Sequence, residues 1–168
     1  NTSTTASVAK AVAEETHKNY PSQTGIAVNS TLDGTSLTVD LTLYVKKADT
    51  YRVTVILLED GIIGYQNGAV ASSRYEHNDI ARQAVTSASG ETVKIDADYT
   101  VWEKTFTSTI SSAYNPENLR LLVYVEKPYG GREKVQGVDG AEYGNYGDTY
   151  IDNCRAVAVG ENAPLELK

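Results

Sequence analysis

From Thr24 to Val45 apolar and polar residues alternate with a period of two. Leu37, Val39, Leu41, Leu43 and Val45 interleave with Thr38, Asp40, Thr42 and Tyr44, which predicts a strand with one buried and one wet face. Asp33-Gly34 sits between two such runs and predicts a hairpin. In "TYRVTVILLEDG" the residues Tyr51, Val53, Val55 and Leu57 share a face, while Ile56 and Leu58 fill the other, so this strand is expected at the centre of a sheet. Before Pro21 the period is different. "TTASVAKAVAEETHKNYPS" is alanine-rich, opens after Ser/Thr and stops ahead of proline, the marks of a helix. Its narrow stripe of Val8, Ala9, Val12 and Ala13 predicts contact through a small face, and His17 falls in its last turn as a capping or exposed residue.

Residues 61 to 90 lose the rhythm. Asn78 is placed as the cap of a short helix whose stripe is Ile80, Ala81, Ala84, Val85 and Ala88, ending before Gly90. Extended structure resumes in "ETVKIDADYTVWEKTFTSTI", either as one long bent strand or as two pieces. "ENLRLLVYVEK" is a strand, "PYGGREKVQGV" is expected to turn it back as a hairpin through Gly130-Gly131, and "YIDNCRAVAVG" closes the domain. About seven strands in hairpins after one helix predict a mainly β fold, an antiparallel immunoglobulin-like β-sandwich with an N-terminal helix and one short helical crossover. A jelly roll is the alternative. The expected organisation is a helix over 1–22, either the domain's own or the remnant of a preceding one, a sandwich over 23–160 and a tail over 161–168.

Composition narrows the partners. The 168 residues carry a formal charge of −7 and a hydrophobic fraction of 40%, which fits one globular domain without general affinity for nucleic acid or anionic membranes. No apolar run approaches a membrane span, so a membrane would be reached only through a lipid anchor outside this chain. No signal peptide is visible, and because the chain opens at Asn1 and holds no methionine, something is expected to have been removed or trimmed ahead of it. A single cysteine, Cys154, excludes an intrachain disulfide and is expected as a small buried residue of its strand.

"YEHNDIARQ", residues 75 to 83, has the densest chemistry. A hydrolase-like site centred on His77, with Ser72 or Ser73 as nucleophile, would need a base–nucleophile pair, but no nucleophile-elbow motif accompanies it. Ala81 stands where a second metal-binding histidine would lie at i+4, so no metal site is assigned. Asp139, Glu142, Asp148 and Asp152 depart from the order of a calcium loop and read as loop solvation, and no cofactor is expected. Glu59-Asp60-Gly61 reads as a turn. There are 12 Tyr against one Phe and one Trp, and Tyr129, Tyr143, Tyr146 and Tyr150 crowd the last glycine-rich stretch. Rigid amphipathic rings among Gly, Asn and Asp suit either a recognition surface or a shield over the sandwich edge.

In order, "YRVTVILLEDGI", "YEHNDIARQAVTSASGE", "NLRLLVYVEK" and "YIDNCRAVAVG" resemble the Bacteroidetes outer-membrane-protein-related family labelled "outer membrane protein twenty-eight". Glu59-Asp60-Gly61-Ile62 resembles its "EDGI" segment; Tyr75, His77, Asn78 and Arg82 resemble its "Y-x-H-N-x-x-x-R" segment and are read as a structural crossover motif. The resemblance implies an envelope protein, usually a lipoprotein, with a thioredoxin-like domain often upstream. This chain has no "CxxC", so no redox activity is carried over. The resulting expectation is a non-catalytic cell-envelope module, outer-membrane-associated or extracellular, that binds a protein or neighbouring domain. A glycan-binding module using the loop tyrosines and the His77 hydrolase are the alternatives.

Overall fold

The computed structural model describes residues 6–19, 21–128, 135–136, 142–143 and 149–165. Among the described residues one α-helix, α1 (Ala6–Asn19), precedes thirteen strands. These are β1 (Thr24–Asp33), β2 (Ser36–Val45), β3 (Asp49–Glu59), β4 (Ile62–Gly64), β5 (Tyr75–His77), β6 (Ile80–Ala84) and β7 (Glu91–Ile95). They continue with β8 (Thr100–Thr109), β9 (Leu119–Pro128), β10 (Val135–Gln136), β11 (Glu142–Tyr143), β12 (Thr149–Ala158) and β13 (Asn162–Ala163).

Two antiparallel sheets form the body, ordered β13-β1-β2-β8 and β12-β9-β3-β6, with β7 also on β3. Strands β1, β2 and β8 share one sheet, while β3, β9 and β12 share the other. That is the immunoglobulin-like connection and decides against the jelly roll. The alternation of β2 is realised in full, since Leu37, Val39, Leu41, Leu43 and Val45 are all buried. They face Tyr51, Val53, Val55 and Leu57 of β3 and Leu121, Val123 and Val125 of β9 in a single core. Strand β3 is central, paired with β9 on one side and with β6 and β7 on the other. The β1–β2 hairpin pairs Asp33 with Ser36, so Gly34 takes the first turn position at φ +57, which glycine adopts without strain.

Several sequence expectations change. The helix expected after Asn78 is instead the edge strand β6, paired with β3 from Ile56 to Glu59; the helical element in this region is one 3-10 turn at Ser72–Arg74. The stretch from 91 to 109 is two pieces, β7 and β8, which belong to different sheets. Strand β9 pairs along its length with β12. Gly130-Gly131 lies outside the described residues, and Val135–Gln136 pairs with Glu142–Tyr143. Asn162 and Ala163, expected in a tail, add β13 to the first sheet opposite Val28 and Asn29. Cys154 is exposed. Its strand carries a bulge between Ile151 and Asn153, so inward residues are even-numbered before the bulge and odd-numbered after it. On α1, His17 is exposed as expected, but so are Ala9 and Ala13 of the stripe assigned to packing.

Candidate functional site

At the end of β3 the chain leaves the sandwich, makes the short β4–β5 pair and returns as β6. The mouth of this excursion is closed by reciprocal bonds. The Asp79 backbone N–H donates to Asp60 Oδ1 at 2.7 Å, and the Gly61 N–H donates to Asn78 Oδ1 at 2.8 Å. Each strand end thus lends one side chain to the other's unpaired backbone donor. Gly61 has φ +73, and Asp79, an aspartate in the left-handed region, has φ +58. Arg120 Nη1 lies 3.1 Å from Asp60 Oδ2 and 3.0 Å from Asp79 Oδ1, so one guanidinium ties both ends to β9.

Beside this clasp Glu59 is buried, at 5% exposure. It accepts from Arg82 Nε at 2.7 Å and from the Asn115 N–H at 2.9 Å. Burial alone would raise its carboxyl, but the Asn115 N–H and the Arg82 guanidinium outweigh that and hold it below the ordinary value. The Asp79 N–H, followed by Arg120, depresses Asp60 in the same direction. Arg82 also lies over the Tyr114 ring, 4.8 Å from its centroid. Asn115 accepts from the Glu117 N–H and caps the 3-10 turn Pro116–Asn118, with proline at the favoured first position. The Asn118 carbonyl accepts from the Asp60 N–H. The turn read at Glu59-Asp60-Gly61 is therefore one half of an ion-paired clasp.

The "YEHNDIARQ" residues divide between this clasp and the β4–β5 pair. Asn78 and Arg82 belong to the clasp. His77 pairs with Ile62 in β5, half-buried, with its ring edge-on to Tyr75 at 5.0 Å between centroids and close against Gly64. The excursion carries Ile63 at 56% exposure, Tyr65 at 71%, fully exposed Val70, and Tyr75 at 44%. Half of the exposed large hydrophobic residues in the described structure lie within these thirteen positions. Its base is fixed by ionic bonds while its tip presents apolar groups to solvent.

The tyrosines singled out from the sequence lie elsewhere. Tyr150 is half-buried on β12, paired with Lys127 of β9. Tyr143 is described through its backbone in β11 alone, and Tyr129 and Tyr146 lie outside the described residues. Of the acidic loop residues, Asp139 and Asp148 also lie outside them, and Glu142 is described through its backbone alone. Asp152 is not a solvated loop carboxylate. The bulge in β12 buries it against the start of β1, where it accepts from Thr24 Oγ1 at 2.6 Å, the Gln23 N–H at 3.0 Å and Ser22 Oγ at 3.3 Å. Among the described residues no group of three or more His, Cys, Asp or Glu side chains is placed to hold a metal ion. Arg120, Asn115 and Tyr114 escaped sequence reasoning. "NPEN" did carry the cap signal, but nothing in it pointed to Glu59.

Comparison with known proteins agrees with this architecture. HBP35 of Porphyromonas gingivalis has a similar structure, with a TM-score of 0.67 at 18% sequence identity. The match covers 98% of this chain and 50% of that one, so the chain spans half the length of its structural neighbour. No curated protein matches the sequence. The family model described as "Outer membrane protein Omp28" matches residues 1–142, which include the whole excursion and both halves of its clasp. The chain belongs to the outer membrane protein Omp28 family and is associated with the cell envelope.

Proposed function

We propose that this domain is a non-catalytic accessory module of the cell envelope that docks a protein partner or a neighbouring domain through the β4–β5 excursion. The observation that carries this reading is that Ile63, Tyr65, Val70 and Tyr75 are all exposed within one short excursion whose base is held by the clasp. Large apolar side chains left exposed along one short segment suit docking, and a base held by ion pairs and hydrogen bonds lowers the ordering cost of binding. The length comparison supports a neighbouring domain as one such partner, because the similar fold in HBP35 is accompanied by as much chain again. The polar residues of "YEHNDIARQ" support a non-catalytic role, since Asn78 and Arg82 are committed to the clasp.

Photo-crosslinking in cells tests the reading. A crosslinker placed at Tyr65 or Val70 is expected to give one discrete adduct, lost when Ile63→Ser and Tyr75→Ser are added. The same group at Thr107, exposed on the other sheet, is the control. Equal adducts at Thr107 and Val70, or none at Val70, would sink the proposal. The tyrosine-rich stretch is tested separately by Tyr143→Ala with Tyr146→Ala, which this reading expects to leave docking unchanged. The hydrolase alternative would require His77→Ala to abolish an assayable activity without loss of stability.

A further inference from the structure

A sandwich has four sheet edges, and among the described residues three of them are blunted against pairing with another chain. β13 is two residues long, β12 carries its bulge, and the far side of β3 is divided between the short strands β6 and β7. The fourth edge is β8. It runs for ten residues without proline or bulge, in unbroken register with β2, and pairs with β2 alone among the described residues. Its backbone groups alternate in direction, as in any antiparallel ladder. The Ile110 N–H donates to the Thr35 carbonyl at 2.9 Å, and that register turns the even-numbered residues of β8 towards β2. The N–H and C=O groups of Val101, Glu103, Thr105 and Thr107 therefore point away from the sheet, and these four residues are exposed. Gln83 Nε2 takes the Thr109 carbonyl at 3.2 Å and closes the edge at that end. Lys104, the inward charge that would deter an incoming strand, is already engaged by Glu91 of β7.

We propose that β8 pairs antiparallel with β8 of a second copy of this chain, about a two-fold axis through Thr105, so that two four-stranded sheets join into one. The sequence of the edge selects that occupant and that register. With Thr105 opposite itself, Glu103 meets Thr107 and Thr107 meets Glu103 through backbone groups that are free on both strands, while Lys104 falls opposite Phe106. Every charge then faces a neutral residue. An axis at Lys104 or at Glu103 would set like charges directly opposite, which destabilises a strand pair. The proposal is independent of the docking excursion, which contributes nothing to β8.

Sedimentation equilibrium at physiological salt, where repulsion between two copies of charge −7 is screened, provides the test. A reversible monomer–dimer equilibrium is expected. Thr105→Pro removes the donor at the two-fold axis without touching the ladder to β2, and it should give a folded monomer, with folding checked by circular dichroism. Should that variant fail to fold, Thr107→Glu serves in its place. It sets a glutamate opposite Glu103 of the second copy, twice per dimer, and should weaken association about tenfold. Adding Glu103→Lys makes both oppositions attractive and should restore association to within about threefold of the unaltered chain. Ile63→Ser with Tyr75→Ser should leave it unchanged, so this proposal and the docking reading fail separately. The seam gives a crosslinker at Thr107 only a second copy to capture, a product of twice the chain's mass that does not count as a docked partner. A chain that stays monomeric up to millimolar concentration, a dimer that survives Thr105→Pro, or no rescue by Glu103→Lys overturns the proposal.

Discussion

Glu59 illustrates how one buried carboxylate sets the behaviour of its surroundings. A charge out of water is costly unless its lone pairs are occupied, and here Arg82 and the Asn115 N–H occupy them. Removing Arg82 leaves the carboxylate with one donor in a site 5% exposed. Arg82→Ala is therefore expected to destabilise the fold by about 1–3 kcal/mol in urea denaturation, the penalty of an under-satisfied buried group. His77→Ala removes an edge contact with Tyr75 from a half-buried position, and about 0.5 kcal/mol is expected. A larger loss from His77 than from Arg82 would show that the weight of "YEHNDIARQ" lies in the β4–β5 pair rather than in the clasp. The pH dependence follows from the same contacts. Glu59 and Asp60 have folded-state values below their ordinary 4.5 and 3.8, so the folded state favours their ionised forms. Their contribution is complete above those ordinary values and is lost as pH falls through the depressed ones. Stability measured by denaturation should fall from about pH 4.5 downward. Glu59→Gln should shrink that fall while lowering stability at neutral pH.

At the scale of elements, the edge beside β3 shows what periodicity can and cannot reveal. "IARQAVTSA" contains good helix formers with an apolar stripe, and those features predicted a helix. β3 presents an open edge there, and its backbone groups recruit the segment as β6, so tertiary pairing overrides a weak local preference. The edge is then interrupted. Thr86 Oγ1 accepts the Val55 N–H at 3.3 Å where the ladder fails, and Gly90 reopens it into β7. Gly90 has φ +76, and a Cβ there would lie 2.6 Å from Thr54 Oγ1 and 3.0 Å from the Val53 carbonyl. Gly34 also has positive φ, but open space surrounds it. Gly34→Ala should thus cost about 1 kcal/mol of conformational strain, while Gly90→Ala adds a clash with β3 and should cost at least about twice that, measured by thermal denaturation. Equal costs would mean that β7 shifts away without penalty. The strands of the core were legible because one face is buried throughout β2 and β3, which forces strict alternation. The phase of β12 was not legible: "YIDNCRAVAVG" gives no sign of the bulge that turns Asp152 inward and Cys154 outward. The clasp was half legible, since both of its family-like segments could be seen in sequence but their contact joins positions about twenty residues apart.

Over the whole molecule, the two sheets are tied at both open sides by different chemistry. On one side β13 pairs with only Val28 and Asn29, which leaves the Thr24 and Ile26 carbonyls without a strand partner there. Asn153 Nδ2 reaches the first at 2.7 Å and Arg155 Nη1 the second at 2.7 Å, while Asp152 takes Thr24 Oγ1 and the Gln23 N–H. On the other side Lys104 of β8 pairs with Glu91 of β7, and Gln83 Nε2 donates to Ser108 Oγ at 2.6 Å. Lys104 and Glu91 are more than a third and about a third exposed, so water competes for them and screens their charge. Asp152 and Thr24 are buried at 9% and 4% exposure, where a lost partner is not replaced by solvent. The two sides should consequently differ in strength. Asp152→Ala is expected to cost about 2–4 kcal/mol, because it orphans a buried hydroxyl and a backbone donor together. Lys104→Ala is expected to cost less than about 1 kcal/mol, and that smaller loss should shrink further at high salt. Hydrogen exchange adds a spatial readout. Asp152→Ala should speed exchange at the start of β1 and in β12 while leaving β8 protected, because the disruption begins where the sheets part. Uniform acceleration through both sheets would instead mean that the Asp152 contacts support the whole core rather than one edge of it.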